Sequence, residues 1–282
     1  MSFVETIIET CSQLPPFPAV INRALNLMND PNSSVQEIVE TIQYDQAITA
    51  NVLRVCNSAY FGLRQSVGSL QEAVIFLGFS QLIEILLSGV SGSMMGKAVS
   101  GYDLEAGELW KHSVSSALLS QIISRRIKRE QNPMLFTAAL IHDIGKVLLN
   151  AYVKEQSETI KDLVKTKGVS FLQAEKDVLG IDHAELSAHI IEQWNFPQKI
   201  IQAIRYHHTP LLATSDQEAV YQIYLSDLIA ILTGIGGGVD GLSYSGFEQV
   251  MHHYKLNEKD IERFMAQLGD QIQKVEAMIQ VQ

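Results

Sequence analysis

The sequence predicts an all-α, multi-helical protein. Serine N-cap signals recur along it, apolar residues return at helical period, and no stretch alternates long enough to make a strand. Ser34, Ser69, Ser215 and Ser245 each stand three residues before a glutamate, namely Glu37, Glu72, Glu218 and Glu248. A hydroxyl at the N-cap with Glu at the third helical position satisfies two orphan amides reciprocally. Pro133 after Asn132 and Pro197 after Phe196 fit a first helical turn, where a missing N–H costs nothing. Near the C-terminus Ile261, Phe264, Met265, Leu268, Ile272 and Val275 form one apolar stripe.

The length of 282 residues fits one large or two small domains, at roughly 100–200 residues each. With 46% hydrophobic and 18% charged residues the chain can bury a core, which excludes a disordered polypeptide. Its net charge of −10 repels phosphate backbones, so no nucleic-acid partner is expected. A local pocket for a small anionic ligand stays compatible with that charge. Cys11 and Cys56 form no ligand motif and read as small apolar residues in a reducing cytoplasm. No basic-then-apolar leader opens the chain. Its longest apolar run, Leu82 to Val90 with Glu84 inside, falls short of the about 20 residues a membrane span needs. A soluble cytoplasmic protein without a membrane partner is the expectation. The sequence leaves its oligomeric state open.

Two Gly-rich stretches divide the chain. Ser88 to Gly101 reads as the connection between two helical halves, and Gly234 to Gly241 as the segment before a final helical piece. The expected organisation is therefore an N-terminal helical half over 1–96, a site-bearing half over 97–235 and a C-terminal segment over 236–282.

Six of the eight histidines fall between His112 and His208. Over Asn132 to Ala151 a helix would place Leu135, Ala138, Ala139, His142, Lys146 and Leu149 on one face, with Asp143 one residue round and Gly145 loosening the helix just after them. A lone histidine on an apolar face is ordinarily a core residue. An adjacent His142-Asp143 pair is different, because ionised Asp is rarely buried without a partner. His183 follows Asp182, which reads as an N-cap with Glu185 at its third position. His207 and His208 end a helix just before Pro210, and only a frayed end lets neighbouring residues share a ligand. Asp227 falls on the stripe Val220, Ile223, Tyr224, Asp227, Ile231, where a carboxylate costs several kcal/mol unless a cation or donors meet it. A salt bridge would serve; beside these histidines a metal is the better partner. His112 shares a helix face with Glu108. Such donors suit Fe, Mn, Zn or Co without choosing among them. His189 reads as structural, His252-His253 as a solvated helix end, and Arg125 to Arg129 as a basic C-terminal turn.

The order His112, His142-Asp143, His183, His207-His208, Asp227, with Ile144-Gly145-Lys146 after the His-Asp pair, resembles the HD superfamily of metal-dependent phosphohydrolases, especially its HD-GYP branch. Leu14-Pro15-Pro16-Phe17-Pro18, Asp45, Leu53 through Asn57-Ser58-Ala59-Tyr60-Phe61-Gly62, and Ala73 through Leu77-Gly78 resemble the HDOD family, the HD-related output domain of bacterial signalling proteins. The resemblance spans about Leu14 to Asp227 and implies an HD-domain-like bundle. It also implies one divalent metal on His112, His142, Asp143 and Asp227, and a second, bridged by Asp143, on His183, His207 and His208. Lys146 would face a phosphate, Asp143 and Lys146 would be the catalytic residues, and Glu108 matches a carboxylate used in some HD-GYP members. After His208 the chain reads Thr209-Pro210-Leu211-Leu212, without the Gly-Tyr-Pro motif, which counts against cyclic di-GMP hydrolysis. HDOD proteins commonly lose the ligands that this chain keeps. The expected function is a regulatory module acting through a signalling protein or a small phosphorylated ligand, with an active phosphohydrolase as the alternative.

Overall fold

The computed structural model describes residues 3–10, 19–30, 32–43, 46–58, 61, 63, 67–127, 133–236 and 245–279. Cys11, the Leu14 to Pro18 element, Asp45, Ala59, Tyr60, Gly62, Lys128, Arg129 and the stretch 237–241 lie outside them. Among the described residues the regular structure is helical, the sole β contact being an isolated bridge between Val99 and Leu104. The all-α expectation holds.

The first five helices are α1 (Phe3–Thr10), α2 (Ala19–Asn29), α3 (Val35–Ile42), α4 (Gln46–Cys56) and α5 (Leu70–Met95). Next come α6 (Glu108–Arg126), α7 (Pro133–Ile141), α8 (Ile144–Glu155), α9 (Ser157–Lys167) and α10 (Phe171–Leu179). The last are α11 (His183–Gln193), α12 (Gln198–Arg205), α13 (Gln217–Leu232), α14 (Phe247–His253) and α15 (Glu258–Ile279). They form two compact units. Met1–Pro15 and Ser91–Leu268 make one; Pro16–Val90 and Gly269–Gln282 make the other. The Ser88 to Met95 part of the Gly/Ser-rich stretch is the last turns of α5.

Local signals account for many helix ends. Ser34 and Glu37 form the full reciprocal capping box of α3. Ser69 Oγ accepts from the Glu72 amide, but the Glu72 carboxylate takes the Gly68 amide instead of closing the box. Asp182 caps α11 by accepting from the Glu185 amide at 2.8 Å, as expected. Ser215 and Ser245 do not cap. The residues before α13 and α14 are Asp216 and Gly246, both with left-handed backbone, and neither makes a side-chain cap bond. Glu218 is drawn away by tertiary partners, accepting from Tyr254 Oη and pairing with His253 Nε2 at 2.7 Å. In α5 the helix kinks at Gly78, whose φ of 70° and ψ of 171° exclude a β-carbon.

In the Ser91–Leu268 unit, α6 is the central helix and packs along α13 and α7. From Val114 to Ile123 all its residues are buried. Serines at 113, 115, 116, 120 and 124 keep side chains short where helices cross, and Ser120 and Ser124 return their hydroxyls to carbonyls of α6. The stretch Met134–Glu155 has the length of a membrane span and its most apolar 18-residue window a mean hydropathy of 1.3, yet 72% of that window is buried inside the fold.

One expectation fails here. Asn132 to Ala151 is not one helix: it breaks at His142-Asp143, where Asp143 takes φ −101° and ψ 13°. Gly145 is not what loosens it. Gly145 lies inside α8 because α8 touches α11 there: a β-carbon would come within 2.3 Å of the His183 carbonyl oxygen and 2.9 Å of the Ser187 amide. The Gly145 amide donates to Ser187 Oγ across this contact. Backbone atoms cannot yield as a flexible side chain would. Gly145→Ala should therefore destabilise the protein by about 1–3 kcal/mol, read as a lower thermal midpoint, by forcing α8 from α11. A variant as stable as wild type would show that the contact relaxes freely.

Candidate metal centre

Four helix ends converge on one buried cluster. α7 delivers His142 and Asp143 just past its C-terminus, and α12 delivers His207 and His208 just past its own. Both helices use the same local device. The last turn of a helix leaves carbonyls without partners. His142 Nδ1 meets the Ala139 carbonyl at 2.7 Å, and His207 Nδ1 meets the Ile204 carbonyl at 2.6 Å. Each ring donates at Nδ1 to a carbonyl three residues back, which leaves Nε2 as the atom that faces the cluster.

His112 comes from the second turn of α6, and its Nδ1 lies 3.1 Å from the Ile235 carbonyl. The chain after α13 presses on this ring so closely that a β-carbon on Gly236 would stand 2.4 Å from His112 Cβ. Part of the stretch read as a connection is thus a cover for His112. His183 begins α11, and its Nδ1 and backbone amide both donate to Glu175 Oε2, at 2.8 and 2.9 Å. Asp227 enters from the buried face of α13.

The structure brings together all seven predicted ligand residues in two sets. Asp143, His183, His207 and His208 offer donor atoms within 4.8 Å of one another; so do His112, His142 and Asp227. Asp143 faces both. Its Oδ1 is 3.6 Å from His183 Nε2 and 3.7 Å from His207 Nε2; its Oδ2 is 3.5 Å from His142 Nε2 and 3.7 Å from His112 Nε2. Asp227 Oδ1 lies 2.9 Å from His112 Nε2 and 3.4 Å from His142 Nε2. His208 Nε2 is 2.8 Å from His183 Nε2. Neighbouring donors on one ion with bonds of about 2.1 Å stand roughly 3.0–3.4 Å apart, so this spacing resembles a ligand shell.

The donor set passes a second test of fit. The Nε2 atoms of His112, His142 and His207 and Asp143 Oδ1 are buried without a hydrogen bond, while Asp143 Oδ2 faces the Lys146 ammonium at 2.8 Å. Buried polar atoms ordinarily find partners, and four such atoms around one point mark a place for a cation. The charges agree. Burial would push the Asp143 carboxyl up, but Lys146 and His142 lead the groups that hold it well below the usual carboxylate range. Burial opposes ionisation of Asp227 too, and His112 and His142 hold its carboxyl well below the usual range. Burial would lower the pKa of His183, yet Glu175 raises it to about 9. Burial, His207 and His183 together depress His208 well below the ordinary imidazole value.

Lys146 is 2% exposed, with Nζ 2.8 Å from Asp143 Oδ2 and 5.6 Å above the Tyr102 ring. Its ammonium serves Asp143. Glu108 shares the helix with His112 but is exposed, and its carboxylate accepts from the Glu105 amide at 2.7 Å. His253 is remote in role, pairing with Glu218, and His189 contacts Gln193. Sequence reasoning missed Glu175 and Tyr102, whose hydroxyl donates to Glu175 Oε1. The signal for Glu175 was present: it lies on the stripe Phe171, Ala174, Glu175, Val178, Leu179, an acid among apolar residues as Asp227 is.

Comparison with known proteins gives the family and the fold. The HDOD domain model matches residues 14–210 and ends before Asp227. An uncharacterized protein of Treponema pallidum (strain Nichols) is 22% identical over 204 residues, 72% of this chain and 39% of the relative. The uncharacterized protein YuxH of Bacillus subtilis (strain 168) is 25% identical over 144 residues, 50% of this chain and 34% of YuxH. The chain thus matches little more than a third of the length of these relatives. A crystal structure of an HDOD domain protein from Geobacter sulfurreducens has a TM-score of 0.71 at 24% identity, covering 97% of each chain. A signal transduction candidate from Marinobacter aquaeolei VT8 has a TM-score of 0.76 at 20% identity, covering 98% of this chain and 64% of the other. A phosphohydrolase candidate from Shewanella amazonensis SB2B has a TM-score of 0.70 at 24% identity, covering 98% of each. By the extent of the family match, the chain belongs to the HDOD domain family.

Proposed function

We propose that this chain is a bacterial, cytoplasmic HDOD signalling module that holds one or two divalent transition-metal ions and acts through a partner protein or a small phosphorylated ligand. One observation carries the metal reading: two sets of inward-facing donors share Asp143, and the buried Nε2 atoms of His112, His142 and His207 lack hydrogen bonds, as does Asp143 Oδ1. His183, His207 and His208 would hold one ion, and His112, His142 and Asp227 the other, with Asp143 facing both sets. An ion there would supply Lewis acidity toward a phosphoryl oxygen. The chain's residues do the rest. Nδ1 hydrogen bonds fix the rings, the two aspartates supply negative charge, and burial excludes competing water.

A regulatory role is favoured by closure. Every proposed ligand side chain is at most 9% exposed, whereas phosphodiester hydrolysis needs an open face against the metals. Lys146 spends its charge on Asp143 instead of offering it to a phosphate. Two observations keep the phosphohydrolase reading alive: the complete donor set, and the phosphohydrolase candidates from Shewanella amazonensis among the similar structures. The two bacterial relatives support the bacterial setting.

Protein purified without chelators or oxygen should contain one to two equivalents of transition metal. The double change His142→Ala, Asp143→Ala should remove it while far-ultraviolet circular dichroism stays helical. Wild type that contains no metal and takes none up would defeat the metal reading.

With a net charge of −10, the protein should show no duplex-DNA binding at physiological salt tighter than about 10⁻⁴ M. A salt-sensitive submicromolar shift in a gel assay would refute this.

Cyclic di-GMP turnover should be negligible even with Mn²⁺ or Fe²⁺ supplied, while slow cleavage of a small generic phosphodiester is compatible with the site. Steady-state turnover at roughly 1–10³ s⁻¹, abolished in Asp143→Ala, would replace the regulatory reading with the enzymatic one.

A further inference from the structure

The two halves of the cluster are built on unequal supports. His112 and His142 on one side and His207 on the other each rest their Nδ1 on a neutral backbone carbonyl, of Ile235, Ala139 and Ile204. His183 alone among these rings rests on a carboxylate. Glu175 is 0% exposed and accepts from both the His183 ring and the His183 backbone amide through Oε2, while Tyr102 Oη donates to Oε1. Tyr102 also sets its ring edge-on to the His183 imidazole, with centroids 5.9 Å apart.

Helix polarity makes this carboxylate necessary. Helix C-termini carry partial negative charge and favour cations; N-termini do the reverse. His142 and His207 follow the C-termini of α7 and α12, but His183 opens α11 at its N-terminus. A cation beside His183 would meet the unfavourable end of a helix. Glu175 accepts from the first amide of α11 and so cancels that field where the ring needs it. The opposite side has a cation already in place: Lys146 Nζ lies 2.8 Å from Asp143 Oδ2, the oxygen that faces His112 and His142.

We propose that Glu175 is the positioning residue that makes the His183, His207, His208 side of the centre the first to fill with metal. The proposal rests on the metal reading above. A carboxylate on the far nitrogen of a ligating imidazole raises its basicity and fixes its orientation, and losing such a partner costs about 10–100-fold in metal affinity. The Asp143 Oδ2 side, shared with Lys146, fills second. Glu175 touches neither metal nor substrate and acts through His183.

The test is a titration of the chelator-treated 282-residue chain with Co²⁺, read by the visible absorption of the ion and by calorimetry. Wild type should bind the first equivalent at least tenfold more tightly than any second. Glu175→Gln keeps the shape and removes the charge. It should weaken the first step about 10–100-fold and change the absorption of the first equivalent, leaving the second step nearly unmoved. Tyr102→Phe keeps the ring against His183 and removes one donor from Glu175, so it should weaken the same step about fivefold. It decides the matter if Glu175→Gln fails to fold. Asp227→Asn should spare the first step and weaken the second. Metal uptake in which both Glu175→Gln and Tyr102→Phe leave the first step unchanged overturns the role of Glu175 alone. A first step lost in Asp227→Asn and kept in Glu175→Gln reverses the order and overturns it as well. No uptake by wild type overturns the metal reading and this proposal with it.

Discussion

Two carboxylates, Asp143 and Asp227, lie buried at 0% and 1% exposure in a helical interior. Burying an ionised carboxylate costs several kcal/mol unless positive charge or donors surround it, and that constraint governs the architecture of the Ser91–Leu268 unit. Everything near the two aspartates supplies such charge or holds something that does. Five imidazoles and Lys146 converge on them, and those groups keep both carboxyls ionised. A core of Leu, Ile and Ala would pack more simply. A site with this much buried charge is best explained by a cation that belongs there.

Helix ends are what make the convergence affordable. Side chains in mid-helix point along fixed directions 100° apart, whereas residues just past a C-terminus can turn inward together. His142-Asp143 and His207-His208 are adjacent pairs placed at such ends, so two consecutive residues serve one centre. The carbonyls freed by helix termination become the acceptors that orient the rings, at Ala139 and Ile204. Termination, ring tautomer and the direction of Nε2 are therefore one structural event at each site. The macrodipoles of α7 and α12 add to the same preference for positive charge.

The groups behind the ligands set how closed and how selective the centre is. Gly145 lets α8 and α11 meet at van der Waals distance, which brings His183 toward Asp143. Gly236 lets the chain after α13 lie against His112. With Lys146 turned onto Asp143, the positive charge expected at a substrate's phosphate is absorbed by the protein itself. That arrangement leaves no free cation at Lys146 for a phosphate to meet.

The sequence by itself determined the helical class, because periodicity and caps are local and each needs only a few neighbouring residues. It also drew attention to the candidate ligand residues: a His-Asp pair, histidines at a helix end and an acid on an apolar stripe are conspicuous wherever they occur, and the family resemblance grouped them into one set. Tertiary structure decided the rest. It broke the expected helix at His142-Asp143, since only a break turns both residues inward. Ser215 failed as a cap where Asp216 takes the N-cap position and Glu218 has partners from α14 and the turn after it, which no local pattern encodes, and Ser245 failed where Gly246 takes that position. It turned Glu108 outward onto its own helix start, and Lys146 inward onto Asp143. It joined Glu175 and Tyr102, 73 residues apart, behind His183. Which side chains face a ligand and which face each other depends on how helices cross, and that is fixed by packing over distances a sequence window does not see.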